Sequence, residues 1–287
     1  MAREVPGPQI SEFTVRIPTE FSRESVAELI GPYTIPEYLP PLGHEAFRDQ
    51  VVLVTGSSRG IGEAAARSFA NHGARVVINS RPSSQERAKA IVDSIQADGG
   101  NALYMPADIT KPDEVRGLFR AIKKELGKPN IVVNNAGITR DSALARMSEE
   151  DWNEVMDTNL KGPYLVTKEA TRHMLRDGGK IIYVSSVAAI GTPGQANYAS
   201  AKAAMEILGQ VAAREYAMAE LPIDVGIFRI ALVDTDLTTD LPQDERERLI
   251  DITPSRRVFT SEEAAKGITY LASLPNDGAG IHRLTFA

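Results

Sequence analysis

The stretch 51-VVLVTGSSRGIG-62 constrains this chain more than any other. A run of β-branched apolar residues stops at a glycine-rich turn, and the turn opens an alanine-rich segment that reads as a helix to about His72. The same order then repeats down the chain. The strand-like runs are "ARVVIN" (74–79), "NALYMPAD" (101–108), "NIVVNNAG" (130–137), "KIIYVSS" (180–186), "PIDVGIFRI" (222–230) and "IHRLTF" (281–286). The helix-like segments between them are 83–97, 112–126, 148 to about 176, 197–220 and 261–273. Strand runs that are apolar throughout imply burial on both faces. Strands that alternate with helices imply parallel pairing through right-handed crossovers. The expected fold is therefore α/β: a Rossmann-like, doubly wound parallel sheet of about seven strands with helices on both faces. Its ligand crevice should lie at the carboxyl ends of the strands.

Residues 1–49 break this rhythm and hold seven of the seventeen prolines. They read as an extension, wrapped on the 50–287 domain or projecting from it. One short helix is expected over 22–30, with Ser22 as N-cap, Glu24 in its first turn and Gly31 as its stop.

Composition removes several function classes. A net charge of −6 argues against broad nucleic-acid or anionic-membrane binding, so an anionic ligand must be met by local basic groups. With no cysteine, thiolate metal sites and cysteine nucleophiles are excluded. The four histidines, at 44, 72, 173 and 282, are too scattered to suggest a metal site. No apolar run approaches a bilayer span, and the start does not read as a signal peptide. The expected location is cytoplasmic.

Between the first strand and the first helix, "TGSSRGIG" supplies Gly56, Gly60 and Gly62, with Ser58, Arg59 and Ile61 among them. Glycine permits a tight turn and close backbone approach, and the helix N-terminus offers free N–H groups to a pyrophosphate. At the end of the second strand an acid would select the ribose 2′-hydroxyl of NAD. Here "VVINSRPSS" has no acid but has Arg81, and Arg59 lies in the glycine loop. Two guanidiniums suit a 2′-phosphate, so the expected cofactor is NADPH. Asp108, followed by Ile109, stands where the adenine amino group would be met, and Asn134, Asn135, Ala136 and Gly137 would flank the adenine ribose.

Two Tyr-x-x-x-Lys pairs compete for chemistry: Tyr198 with Lys202, and Tyr164 with Lys168. On a helix both pairs share a face, so spacing does not separate them.

The motifs "TGSSRGIG", "NNAG" (134–137), Asn159, Ser186 and "YASAK" (198–202) resemble the short-chain dehydrogenase/reductase family from about Phe47 to the C-terminus. Within it, "NNAGITRDSALARMSEEDWNEVMDTNLKG" and "GQANYASAKA" are most similar to bacterial 3-oxoacyl-[acyl-carrier-protein] reductases. The resemblance implies that Tyr198 is the proton donor to the substrate carbonyl. Lys202 would favour the phenolate and hold the nicotinamide ribose, and Ser186 would bond the substrate oxygen. The Asn159 carbonyl would hold a relay water, and Thr235 would contact the carboxamide. The implied substrate is a 3-oxoacyl thioester on acyl-carrier protein or coenzyme A, with Arg176 and Arg214 near the positions where an acidic carrier would dock. The implied assembly is a homo-oligomer, a dimer or tetramer packed through the two long helices.

Pro163 stands four residues after Asn159 and has no N–H, so it is expected to leave the Asn159 carbonyl without its helical donor. Three features depart from the family. The interval from Ser186 to Tyr198 is one residue shorter than usual, which keeps Ser185 as a rival for the serine role. Ile230 and Ala231 stand where Pro-Gly is usual, and "LTFA" replaces the usual Gly-Gly tail. Such departures keep open a ketoreductase acting on a polyketide, steroid or other secondary-metabolite ketone, or a non-catalytic nucleotide-binding partner in a biosynthetic complex. A sugar-nucleotide epimerase shares Tyr-x-x-x-Lys but differs in glycine spacing.

Overall fold

The computed structural model describes residues 27, 31–34, 36–236, 238, 243–276 and 280–287. Its centre is β1 (Val51–Thr55), buried at every position. Val52 and Val54 belong to one apolar layer, with Phe69, Ile78 and Ile268. Val51 and Leu53 belong to the other, with Phe119, Val166 and Tyr183. The pleat thus divides one continuous apolar run between two cores, which is why the run shows no alternation in sequence.

The remaining strands are β2 (Arg75–Asn79), β3 (Asn101–Tyr104), β4 (Ile131–Asn134), β5 (Gly179–Ser186), β6 (Ile223–Ile230) and β7 (Ile281–Phe286). They form one seven-stranded sheet in the order β3-β2-β1-β4-β5-β6-β7, and every pairing is parallel. The order reverses between β1 and β4, so a crevice opens above their carboxyl ends. The expected doubly wound sheet is thereby found.

The helices are α1 (Gly60–Asn71), α2 (Gln85–Ala97), α3 (Pro112–Glu125), α4 (Glu149–Met156), α5 (Gly162–Met174), α6 (Ala196–Met218), α7 (Gln243–Ile252) and α8 (Ser261–Ser273). Two differ from expectation. The helix expected over 148–176 is two helices joined by a π turn, Asp157–Lys161. There the Gly162 N–H reaches back five residues to the Asp157 carbonyl. Proline at 163 cannot donate, so the turn takes up an extra residue and the α-helix restarts with Pro163 in its first turn. Helix α7 was not anticipated, because "QDERERLIDI" carries too few apolar residues for a helical stripe. Strands β3 and β4 stop short of the expected "MPAD" and "NAG", and Ala107, Asp108, Asn135, Ala136 and Gly137 of these segments line the crevice.

The helix expected over 22–30 lies outside the described residues, except for helical Ala27, whose carbonyl accepts from Gly31 N–H. The described part of the extension lies against the domain. Thr34 N–H donates to the Thr285 carbonyl at 2.9 Å, and Thr34 bridges Phe286 in parallel at the β7 edge. Lys266 on α8 donates to the Pro36 carbonyl. Leu39 is buried, and Phe47 sits edge-on to Phe69 with ring centres 4.9 Å apart.

Candidate active site

A cleft of about 780 Å³ opens at the carboxyl ends of β1, β4, β5 and β6. Gly56, Ser58, Arg59, Gly60, Ile61, Gly62, Arg81, Asp108, Ile109, Asn135, Ala136, Gly137, Ser186, Tyr198, Lys202 and Thr235 all line it. Of the expected site residues, Asn134 and Asn159 do not; Asn134 is buried and donates to the Thr167 hydroxyl at 3.4 Å instead of flanking a ribose. Asn159 lies fully buried behind the wall.

The glycine loop is shaped by contact within the protein. Gly56 has φ +65°, and a Cβ there would lie 2.7 Å from the Ala136 Cα. A Cβ at Gly62 would lie 2.5 Å from the Gly56 carbonyl oxygen. Only glycine lets β1, β4 and α1 converge this closely. The Thr55 hydroxyl accepts from the N–H groups of Asn135 and Ala136, both at 3.1 Å, and ties the two loops together. Helix α1 begins with no side-chain cap, so its amino end faces the cleft without a built-in acceptor.

At one end of the cleft stand Arg59, Arg81 and Arg87. Asp236 pairs with Arg59 at 3.0 Å and with Arg87 at 3.5 Å. The Asp108 carboxylate accepts from the Thr110 N–H at 2.9 Å and its hydroxyl at 2.8 Å, which fixes its direction.

At the other end, β5 delivers two serines, one to each side of the sheet. Ser185 is buried and donates to Glu206 at 2.6 Å. Glu206 in turn holds Arg229 through two bonds, of 3.0 and 2.6 Å. Ser186 hydrogen-bonds the Tyr198 hydroxyl. Both serines line the cleft, but they have different partners: Ser185 is held by the buried Glu206–Arg229 pair and Ser186 faces the tyrosine.

Tyr198 is half-buried in the first turn of α6. Burial raises its pKa to about 12, against the Ser186 hydrogen bond, and the Asp141 charge adds to the rise. Lys202, one turn on, is 3% exposed and donates to the Val184 carbonyl at 2.7 Å. Burial lowers its pKa to about 8, against the charge of Glu206. Desolvation thus sets the direction for the phenol, opposite to the lowering expected from the sequence. Asn159 clasps Ile138 with both side-chain atoms, accepting from its N–H at 2.9 Å and donating to its carbonyl at 2.8 Å. This clasp holds the strand-end segment 134–138 against the π turn.

The rival pair is elsewhere. Tyr164 on α5 is 45% exposed and does not line the cleft. Its lysine lies 5.7 Å from the ring centre, against 5.6 Å for Lys202 over Tyr198. The two ring-to-amine distances match, and the pairs differ in where the sheet places them, with Lys168 exposed and Lys202 buried.

The profile of the short-chain dehydrogenase family matches residues 50–246. A 3-oxoacyl-[acyl-carrier-protein] reductase FabG of Staphylococcus aureus is 39% identical over 223 residues, covering 77% of this chain and 89% of that protein. The chain belongs to the short-chain dehydrogenase family. Two solved short-chain dehydrogenase-like folds superpose on it. A dehydrogenase/reductase from Sinorhizobium meliloti has a TM-score of 0.77 at 30% identity, covering 85% of this chain and 96% of its own. The angucycline C-6 ketoreductase LanV with bound NADP has a TM-score of 0.75 at 27% identity, covering 84% and 95%.

This short-chain dehydrogenase also brings to its cleft residues that the sequence reading missed. Asp141 accepts from the Gln195 side chain at 2.8 Å, and burial raises its pKa against that bond. Arg87 and Asp236 meet at the far end, and Glu206 lies behind Lys202. Arg87 alone carried a signal, as a third basic residue soon after Arg81.

Proposed function

We propose that this oxidoreductase uses NADPH to reduce a 3-oxoacyl thioester, carried on acyl-carrier protein or coenzyme A, to its 3-hydroxyacyl form. One observation carries the reading: Tyr198, bonded to Ser186 and backed by buried Lys202, faces a cleft whose far end holds three guanidiniums. The uncapped amino end of α1 and the arginines suit a dinucleotide bearing a 2′-phosphate. Asp108, Asn135 and Thr235 would meet its adenine, ribose and carboxamide ends.

NADPH held in this cleft would supply hydride to the carbonyl carbon. Tyr198, protonated at neutral pH, gives its proton to the carbonyl oxygen. Ser186 donates a hydrogen bond to the same oxygen and stabilises the forming alkoxide. Lys202 in its charged form stabilises the phenolate left behind. The Asn159 carbonyl has no donor four residues on, because Pro163 lacks an N–H, and is offered to a relay water. Exposed Arg176 and Arg214 form no ion pair among the described residues and suit an acidic carrier. Exposed Tyr164 on α5, Leu175 just past its end, and Ile207, Val211 and Met218 on α6 suit a homo-oligomer. Among the described residues no helix is long and apolar enough to cross a membrane, which accords with a cytoplasmic enzyme.

A second reading, reduction of a secondary-metabolite ketone, is favoured by the likeness to LanV and by Ile230 and Ala231 at the end of β6. The test is NADPH oxidation with acetoacetyl-CoA and with a panel of cyclic ketones. Turnover of the thioester supports the first reading, and turnover of ketones alone supports the second. Tight NADPH binding without any turnover would refute the enzyme reading.

A further inference from the structure

The segment after β6 is built to present one carboxylate. Val233 bridges Phe259 in parallel, and the Thr238 hydroxyl donates to the Val233 carbonyl at 2.6 Å and accepts from Thr235 N–H at 3.1 Å. Thr235 packs on the glycine loop, its Cγ2 lying 3.4 Å from where a Cβ of Gly60 would sit. The next residue, Asp236, therefore reaches back over the mouth of the cleft. One of its oxygens meets Arg59 at 3.0 Å and Arg87 at 3.5 Å. Arg81 lines the same end.

We propose that Asp236 is a specificity-determining residue: an internal competitor for the guanidiniums of Arg59 and Arg87 that weakens binding of the NADPH 2′-phosphate, with Arg87 as a third phosphate ligand. The inference rests on the NADPH reading above. A carboxylate and a phosphate dianion cannot share the same exposed donors without mutual repulsion. The pairs themselves are weak, because the side chains are 52% (Arg59), 65% (Arg87) and 57% (Asp236) exposed. The phosphate therefore displaces the carboxylate, whose charge still stays within a few ångströms. NADH has a hydroxyl at that position and feels no such competition. Asp236 thus lowers affinity for the phosphorylated cofactor and narrows the preference over NADH.

The test is titration of the full chain with NADPH and NADH by nucleotide fluorescence, for wild type, Asp236→Asn, Asp236→Ala and Arg87→Gln. Thermal melts verify the fold, and the second Asp236 variant stands in if the first is unstable. At low ionic strength both Asp236 variants should bind NADPH about 3- to 10-fold more tightly, as expected for removing one charge near a dianion in water. Their NADH affinity should change less than about 2-fold, and the NADPH gain should shrink in high salt. Arg87→Gln should weaken NADPH and spare NADH. Unchanged or weaker NADPH binding by the Asp236 variants, or equal tightening for both nucleotides, would overturn the proposal. A wild type that binds NADH as tightly as NADPH would instead sink the cofactor reading, and this inference with it.

Discussion

Lys202 offers the sharpest quantitative test, because its burial affects two independent measurements. Burial lowers its pKa to about 8 from the ordinary lysine value of 10.5, so between those limits the folded protein binds fewer protons than the unfolded chain. Stability therefore rises with pH across that window. The penalty for a buried ammonium, about 3 kcal/mol at 1.36 per unit, is fully present below pH 8 and relieved towards pH 10.5. Tyr198 opposes this only above pH 10, where its own raised pKa makes stability fall. Urea midpoints measured from pH 6 to 10 should climb above pH 8, and Lys202→Met should remove the climb. Activity should move the other way. If charged Lys202 is needed, the competent fraction falls from roughly nine-tenths at pH 7 to roughly a tenth at pH 9, so kcat/KM should show a basic limb near 8. A flat profile to pH 10, or midpoints that fall from pH 8 in wild type and Lys202→Met alike, would refute the reasoning.

Other tests address the assignments made above. Tyr198→Phe should lower turnover by ~10²-fold or more while NADPH still binds, whereas Tyr164→Phe should stay within about 2-fold of wild type by NADPH oxidation. Ser186→Ala should lower kcat/KM by at least ~10-fold with little change in melting temperature. Ser185→Ala should do the reverse, because it disturbs the buried Glu206–Arg229 pair and leaves Ser186 and Tyr198 in place. Phe47→Ala should cost about 3–5 kcal/mol of unfolding free energy in urea titration, since the ring is 1% exposed against Phe69.

The sheet was legible because its central strands are buried on two sides, and a short apolar run closed by a turn has few other homes. The cradle was legible because its glycines are required by contacts next to them in the fold. The break at 157–161 was half legible: proline told which carbonyl loses its donor, and backbone geometry supplied the π turn. Helix α7 left no apolar stripe to read. The Asp236 pairs and the Glu206–Arg229 pair join residues far apart in the chain, and no local spacing announces them. The two Tyr-Lys pairs show the limit plainly, since their ring-to-amine distances agree within 0.1 Å. Only the strand ends around Tyr198, with Ser186 opposite, set one of them in the cleft.

Thr34 on β7 has a consequence for how the molecule meets others like it. The last strand of an open sheet presents unpaired N–H and C=O groups, a template on which a foreign strand can grow. Near its carboxyl end that template is already taken by the chain's own N-terminal segment, which bonds Thr285 and bridges Phe286. A truncation that removes Thr34 would leave the cleft's walls in place yet bare a sticky edge. Precipitation on concentration, rather than lost turnover, would be its first symptom.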